Sequence, residues 1–598
     1  MAEIIQTLSK AEAVKQQSRQ LRGHLARDLA DTAHPFDNAG YSLLKFHGIY
    51  QGYDRDSATE RKQRGDDKHW QFMVRVRIPG GRLTAEQYLA LDALADRYGN
   101  GSLRVTTRQS IQFHGVLKPG LKATIAAIDA ALLTTLAACG DVVRTVTTVP
   151  VPIRDAVHRR LEEDARRLST YLLPKTGAYH EIWLDGEKLP GNLPQPSSPG
   201  LTRGSVETAP EMAGSSPAMT KNGEEPPDPL YGERYLPRKF KLGLAIPEDN
   251  TIDVLTNDLA IVALFDDDTL TGYNFFLGGG HGMTHNKPET YPRLATPVAF
   301  IEPDDLLDAA AAVVRLHRDW GDRGNRRHTR LKYVIAERGE DWARQRLSED
   351  LGKRLEPCRP MPDFAVPDHL GWHEQGDGKL YLGLPIASGR IVDGAGARLR
   401  TALRDIVERF RSNPILMPSQ DIILSEIDPA DRQAITDVLR SYRVTLAEEL
   451  LPVERWALAC PALPSCGLAL TEAERVRGDI VDAIAARLRR WGLEQERLSI
   501  RITGCPNGCA RPYTGDIGIV GRIPGYYSLY VGGDFEGTRL NEAIAERLDI
   551  AGLAEALDPL FALWAASRIG AEGFGDFCHR IGLEALRQII EGCRRKAA

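Results

Sequence analysis

Four of the chain's eight cysteines crowd into two short loops near its end: A-C-P-A-L-P-S-C-G with Cys460 and Cys466, and T-G-C-P-N-G-C-A-R-P-Y with Cys505 and Cys509. Pro461, Pro464, Pro506 and Gly508 keep both pairs out of regular helix, because proline lacks the N–H and glycine favours loops. Two loops that each present two thiolates can close around one soft metal centre. Structural zinc usually takes tighter knuckles than C-x5-C. Disulfides need an oxidising compartment, and a [4Fe–4S] cluster takes four thiolates at wider spacing. Spacing alone leaves these readings, and unligated core cysteines, open.

A second pattern is cationic. In L-P-R-K-F-K, Lys239 and Lys241 alternate along a predicted strand, so both ammonium groups leave from one face. A lone K-x-K is usually a solvated strand face.

The elements that must hold these residues show period and punctuation. Residues 72–78, F-M-V-R-V-R-I, alternate as a strand. Thr84 and Gln87 form a capping box for a helix that Gly99 ends. A strand is predicted over 102–115, then an Ala/Leu-rich helix over about 122–139. Similar signals return later: Gly389-Arg390-Ile391 echoes Gly81-Arg82-Leu83, and Leu399, Leu403, Ile406, Val407 and Phe410 share a helix face. Gln420 stands 31 residues after Gly389, as Gln109 stands 28 after Gly81, which points to a duplication. A further strand is predicted over 178–184. Residues 189–230 are dense in Pro, Gly, Ser and Thr and predict a disordered or surface insert.

The 598 residues call for about three domains. The expected division is an N-terminal extension (1–65), the first half of a duplicated central domain (66–144) and an α/β domain carrying the insert (145–347). The second central half (348–441) and a cysteine-bearing domain (442–598) complete it. A net charge of −5 argues against a nucleic-acid partner. No apolar h-region opens the chain and no long apolar run is apparent, so the expectation is a cytoplasmic protein with reduced thiols and no membrane span. Cys139, Cys358, Cys578 and Cys593 read as bystanders.

The cysteine loops, with L-L-K-F-H-G-I-Y-Q near Lys45, L-P-R-K-F-K, G-G-G at Gly278 and G-F-G-D-F at Gly573, resemble the sirohaem-binding sulfite and nitrite reductases. Over nearly the whole chain the likeness is to the haemoprotein (beta) subunit of NADPH-linked assimilatory sulfite reductases. It implies a mixed α/β (α+β), three-domain fold with pseudo-two-fold halves. It also implies a [4Fe–4S] cluster on Cys460, Cys466, Cys505 and Cys509, the last also ligating sirohaem iron. Arg75, Arg144, Lys239 and Lys241 match the family's substrate-binding cations; Arg104, Arg108, Gln112, His114, Arg238, Arg330 and Asn507 match residues around the sirohaem. Arginine at 330 replaces the usual lysine, and S-Q-D at 419–421 replaces an expected N-Q-N. The second half lacks the first half's arginines, so one of two pseudo-symmetric sites is expected to be used. The implied reaction is the six-electron reduction of sulfite to sulfide in sulfate assimilation and cysteine biosynthesis, with nitrite reduction to ammonia as the alternative. No G-x-G-x-x-G opens a βαβ unit. Electrons are therefore expected from a separate donor, an NADPH-dependent FAD/FMN flavoprotein (alpha subunit) that the N-terminal segment helps engage, or a ferredoxin.

Overall fold

Four β-sheets carry the chain, and they come in two matched pairs. The computed structural model describes residues 8–186 and 225–597. The first sheet runs in spatial order Ile49–Tyr53, Trp70–Arg75, Ile111–Val116, Leu103–Val105 and Arg390–Ile391, all antiparallel. Its counterpart runs Gly371–Glu374, Leu380–Leu384, Ile422–Ile427 and Asn413–Leu416, again antiparallel. A third sheet orders Thr147–Thr148, Leu242–Ala245, Leu259–Asp266, Thr269–Leu277 and Thr296–Ile301. A fourth orders Ala457–Ala459, Ile500–Thr503, Ile517–Ile523, Tyr526–Val531 and Glu542–Leu548. In both of these the first two pairings are parallel and the last two antiparallel. The duplication expected for the central sheets thus extends to the outer pair.

The central halves interlock by exchange. Arg390 pairs with Arg104 across the halves, and Arg82 forms a bridge to Ile415 in the opposite sense. Gly81, at φ +75°, would place a Cβ 2.4 Å from Leu416 O; Gly389, at φ +73°, would place one 2.2 Å from Val105 O. Only glycine allows this approach on both sides of the pseudo-two-fold. Gln109 and Gln420 take positive φ at matching turns. Gln109 accepts from Thr148 N at 2.9 Å and donates to Gly80 O; Gln420 accepts from Ala459 N at 3.2 Å and donates to Ser388 O. Each amide ties its half to the first strand of an outer sheet.

The helix Ala85–Arg97 begins at the expected capping box, and Leu399–Phe410 buries Leu403, Ile406 and Val407 as its period requires. Three expectations change. Residues 102–115 form a hairpin instead of one strand, because the chain turns at 106–110 with Gln109 left-handed. The helix predicted over 122–139 is Leu121–Ala130; Leu132 and Ala137 then take positive φ, and the released segment carries Cys139 to the site. Residues 178–184 are a helix, Ala178–Trp183, because Tyr179, Ile182 and Trp183 fall at helical spacing on the core. Most of the insert lies outside the described residues. Its last residues are built in, with Glu225 paired to Arg22 and the buried Asp228 accepting from Lys175 N and Tyr231 N.

The N-terminal segment packs on the body: Leu21 and Leu25 are buried, and Lys15 donates to Leu236 O at 2.6 Å. Among the described residues the helix Ile550–Ser567 is long and apolar enough to cross a bilayer by length and composition, although Glu555 and Asp558 interrupt it. It buries Leu553, Leu557, Leu560, Phe561 and Trp564 in the core around the fourth sheet, as a core helix does.

Candidate functional site

The cysteine loops leave the carboxyl ends of two adjacent parallel strands. Cys460 directly follows Ala457–Ala459 and bonds Ile502 O through its own N–H at 3.1 Å; Cys505 follows Ile500–Thr503. Gly504 N donates to Cys460 Sγ at 3.3 Å, and Asn507 Nδ2 lies 3.6 Å from Cys505 Sγ. All eight cysteines are free thiols, which removes the disulfide reading. Each of the four loop thiols lies within electrostatic influence of the other three. Burial first, and then Cys509, pushes Cys505 up to about 12, and raises Cys460 and Cys466 as well. Among the described residues no three Cys, His, Asp or Glu side chains are arranged to hold a single metal ion. Four mutually close thiols, too spread for one ion and hard to ionise unaided, suit a polynuclear iron–sulfur cluster whose irons supply the missing positive charge. Cys509, exposed where Cys460 and Cys505 are buried, faces outward from this group.

On that outward side lies a basin of cations. Lys241 feels the charge of Arg108, Arg330 and the Cys509 thiol; Lys239 feels Lys241, Arg330, Arg144 and Arg238; Arg108 feels Arg144 and Arg75. All four expected substrate cations therefore converge with three of the expected cofactor residues. Lys239 and Lys241 flank Phe240, which is buried and bridges to Val143, so both lysines leave the same face, although the strand itself begins at Leu242. Burial, and then the like charge of Arg108, pushes Lys241 down to about 7; burial and Lys241 push Lys239 well down. Burial lowers Arg238 to about 10. Among the described residues no hydrogen bond or ion pair reaches the side chains of Lys239, Lys241 or Arg238. Asp141 acts on Arg238 and Asp258 on Lys241 without pairing to either, so the cations remain in excess, which is costly, and an anionic occupant relieves that cost.

Residues 163–355 and 455–595 match the nitrite and sulphite reductase 4Fe-4S domain, and residues 62–131 match the nitrite/sulfite reductase ferredoxin-like half domain. A sulfite reductase [ferredoxin] of Synechococcus elongatus is 43% identical over 99% of this chain and 92% of its own. The chain belongs to the nitrite and sulphite reductase family. A sulfite reductase [NADPH] hemoprotein beta-component of Myxococcus xanthus is 44% identical over 96% of this chain and 97% of its own. The solved structure of the Mycobacterium tuberculosis NirA protein covers 97% of each chain with a TM-score of 0.73 at 21% identity, which shows the shared fold.

Not every expected residue faces the basin of this reductase-family site. Arg104 is spent on Glu474 (3.2 Å) and Ala459 O (2.9 Å), and Arg390 shares the same Glu474. His114 sits between Gln112 (3.3 Å) and Arg390 (3.4 Å), and burial holds it neutral. These residues buttress the wall and the Cys460 strand. Arg330 is clamped by both Asp258 oxygens, at 2.9 and 2.8 Å, and Asp258 also accepts from Lys241 N. Arg108 bonds Asn257 Oδ1, Thr145 O and Leu242 O, leaving its buried Nε unpartnered. Arg144 bonds Gly140 O through Nε and Nη2, and Arg75 shares its guanidinium between the Gln112 amide oxygen and Cys139 Sγ, 3.1 Å from Nη1.

Sequence reasoning missed Cys139, Asp258, Glu474, Lys332 and His281. Cys139 follows a helix that stops early, and Asp258 and Glu474 are ordinary acids until their arginine partners are seen. The glycine run before His281 was a visible signal, because Gly279 would place a Cβ 2.1 Å from Leu255 O.

Proposed function

We propose that this chain reduces sulfite to sulfide by six electrons, using a [4Fe–4S] cluster on Cys460, Cys466, Cys505 and Cys509 and a sirohaem linked to it through Cys509. The observation that carries the reading is the basin beside Cys509 in which cations outnumber acids and Lys239, Lys241 and Arg238 have no ion-pair partner among the described residues. The basin suits both an acid-rich macrocycle and a small oxyanion. When bound, the two groups supply electrons to the substrate in succession.

The chain's own residues do the rest. Arg75 and Arg144 direct planar N–H forks at substrate oxygens, orienting them. Lys239 and Lys241, unencumbered by protein partners, gather negative charge and hold protons close to the oxygens that leave as water. Lys241, poised at about 7, can carry or release its proton at physiological pH. Asn507 in the second cysteine loop, Arg108 beside it and Arg238 beside Arg144 and Arg330 would hold the macrocycle's carboxylates. Asp258 fixes Arg330 and the Lys241 backbone, so the basin keeps its shape when empty.

Electrons come from a separate donor in the cytoplasm. Relatives named for NADPH and for ferredoxin match almost equally well, so both a diflavin reductase and a ferredoxin are donors to test. The purified chain should show sirohaem absorption bands. Under one artificial reductant, sulfite should exceed nitrite in kcat/KM; the reverse order would make the protein a nitrite reductase. Parallel assays with the two physiological donor types assign the partner.

A further inference from the structure

Lys45 stands at the edge of the cation basin and belongs to neither set of residues expected there. Its backbone is fixed. Gly48 O accepts from Arg75 N at 2.9 Å, and Phe46 O accepts from Ala137 N at 2.8 Å. Gly140, whose carbonyl holds the Arg144 guanidinium, would place a Cβ 3.0 Å from Phe46, and Gly48, at φ +81°, would place one 2.8 Å from Arg75 O. Residues 45–48 are thus laid directly on the backbone that carries Arg75 and Arg144. These stitches are made by main chain and by the Phe46 ring, so none of them needs the lysine side chain.

That side chain ends in the open. Lys45 is partly exposed, and its ammonium lies over the face of the Tyr41 ring, 3.8 Å from the centroid and one helical turn earlier. Among the described residues no hydrogen bond or ion pair reaches Nζ, and unlike the nitrogens of His281 it is not sealed from solvent. An aromatic face attracts the charge but leaves the N–H donors unspent. The charged groups that act on Lys45 are Asp141, which attracts it, and Arg238, Arg326 and Arg144, which repel it. Asp141 is already committed, accepting from Arg326 at 2.8 Å and lying 3.7 Å from Lys15. Glu12 is shared between Lys15 and Arg323. Lys45, Arg144 and Arg238 are left without an ion-pair partner among the described residues. Burial pushes Lys45 down only to about 8, so it stays largely charged at neutral pH. An open ammonium with unspent donors, fixed beside two such guanidinium groups, is the arrangement that meets an anionic oxygen.

We propose that Lys45 is a fifth substrate-facing cation, which draws the incoming oxyanion from solvent toward Arg144. This rests on the function proposed above. A carboxylate of the tetrapyrrole offers the same anionic oxygen, and the test separates the two sources. Full-length Lys45→Met and Lys45→Arg proteins are purified beside wild type, and their iron and tetrapyrrole contents are compared. The rate of tetrapyrrole loss on dialysis in mild denaturant is then measured. So is the second-order rate of sulfite binding, followed by absorption at low ionic strength and in about 1 M salt, where the screening length falls to about 3 Å. The methionine protein should bind sulfite about fivefold more slowly at low ionic strength, the gap should close in high salt, and arginine should restore most of the rate. A deficit that salt does not narrow would be lost packing and overturns the proposal, as does a rate equal to wild type. An unchanged rate with faster tetrapyrrole loss assigns the oxygen to the macrocycle and overturns the substrate role. Should the methionine protein fail to fold, Lys45→Gln, polar and neutral, takes its place. A wild-type chain that carries iron but no tetrapyrrole overturns the functional reading itself.

Discussion

The turns at Gln109 and at Gln420 are built alike and used differently. Each sits at a β-hairpin tip with its glutamine left-handed, and each amide stitches a central sheet to an outer one. In the first, the preceding residue is Arg108, which reaches Asn257 and the third sheet and faces the cation basin. In the second it is Ser419, a neutral residue beside the buried Asp421 carboxyl, and Pro418 O is occupied by Arg511. Beside that second turn lies a cavity of about 40 Å³ lined by Asp253, His369, Ser419, Asp421, Arg501 and Arg511. That space suits a water molecule or so and is far too small for a macrocycle. Its arginines are already neutralised, since Asp253 pairs with both Arg501 and Arg511. A duplicated backbone therefore keeps its frame through glutamine and glycine, while a few side chains decide which copy has open positive charge.

The sharpest way to break this comparison is to remove that charge. Lys239→Met combined with Lys241→Met should lower kcat/KM for sulfite by roughly 10³-fold or more, at unchanged iron content. Steady-state kinetics that fell less than tenfold would show that the basin is not where the oxyanion binds. The frame, in contrast, should respond equally on both sides. Gln109→Ala and Gln420→Ala each strand a buried backbone N–H, of Thr148 and Ala459 respectively, and each should cost about 1–3 kcal/mol in denaturant unfolding. A large inequality between them would mean that the two stitches are not equivalent.

A milder effect concerns pH. Lys241 is pushed down to about 7, first by burial and then by Arg108. An arriving anion raises it, so binding takes up a proton above that pH and none below. Nitrite, which does not itself titrate there, should bind up to about tenfold more weakly per pH unit above about 7, and Lys241→Met should flatten that limb. Spectroscopic titrations at several pH values give both curves. Smallest of all, Ser419→Ala in the second turn should leave kcat/KM within about twofold.

Motif and period made much of this legible. The four cysteines, the alternation of Lys239 and Lys241 and the parallel between Gln109 and Gln420 were visible because each depends on local spacing. The early end of the helix at Ala130 and the helix Ala178–Trp183 were not, because composition fitted other elements equally well and tertiary packing decided. Nor did sequence separate Arg104 from Arg108. Both look like carboxylate partners until Glu474, distant along the chain, claims the first. Buttress and ligand-facing arginines differ only in what has already neutralised them.

The exchange between halves bears on how the protein is made. The sheet carrying Arg75 lacks its edge strand until Arg390–Ile391 has left the ribosome, and Arg104 waits longer still for Glu474. The nascent chain must hold that edge unpaired through most of its synthesis, a stretch in which exposed strands invite aggregation and chaperone capture. A ribosome that stalls before the second cysteine loop releases a product with the cations but without Cys505 and Cys509. The yield of folded protein should therefore depend on translation speed and chaperone supply.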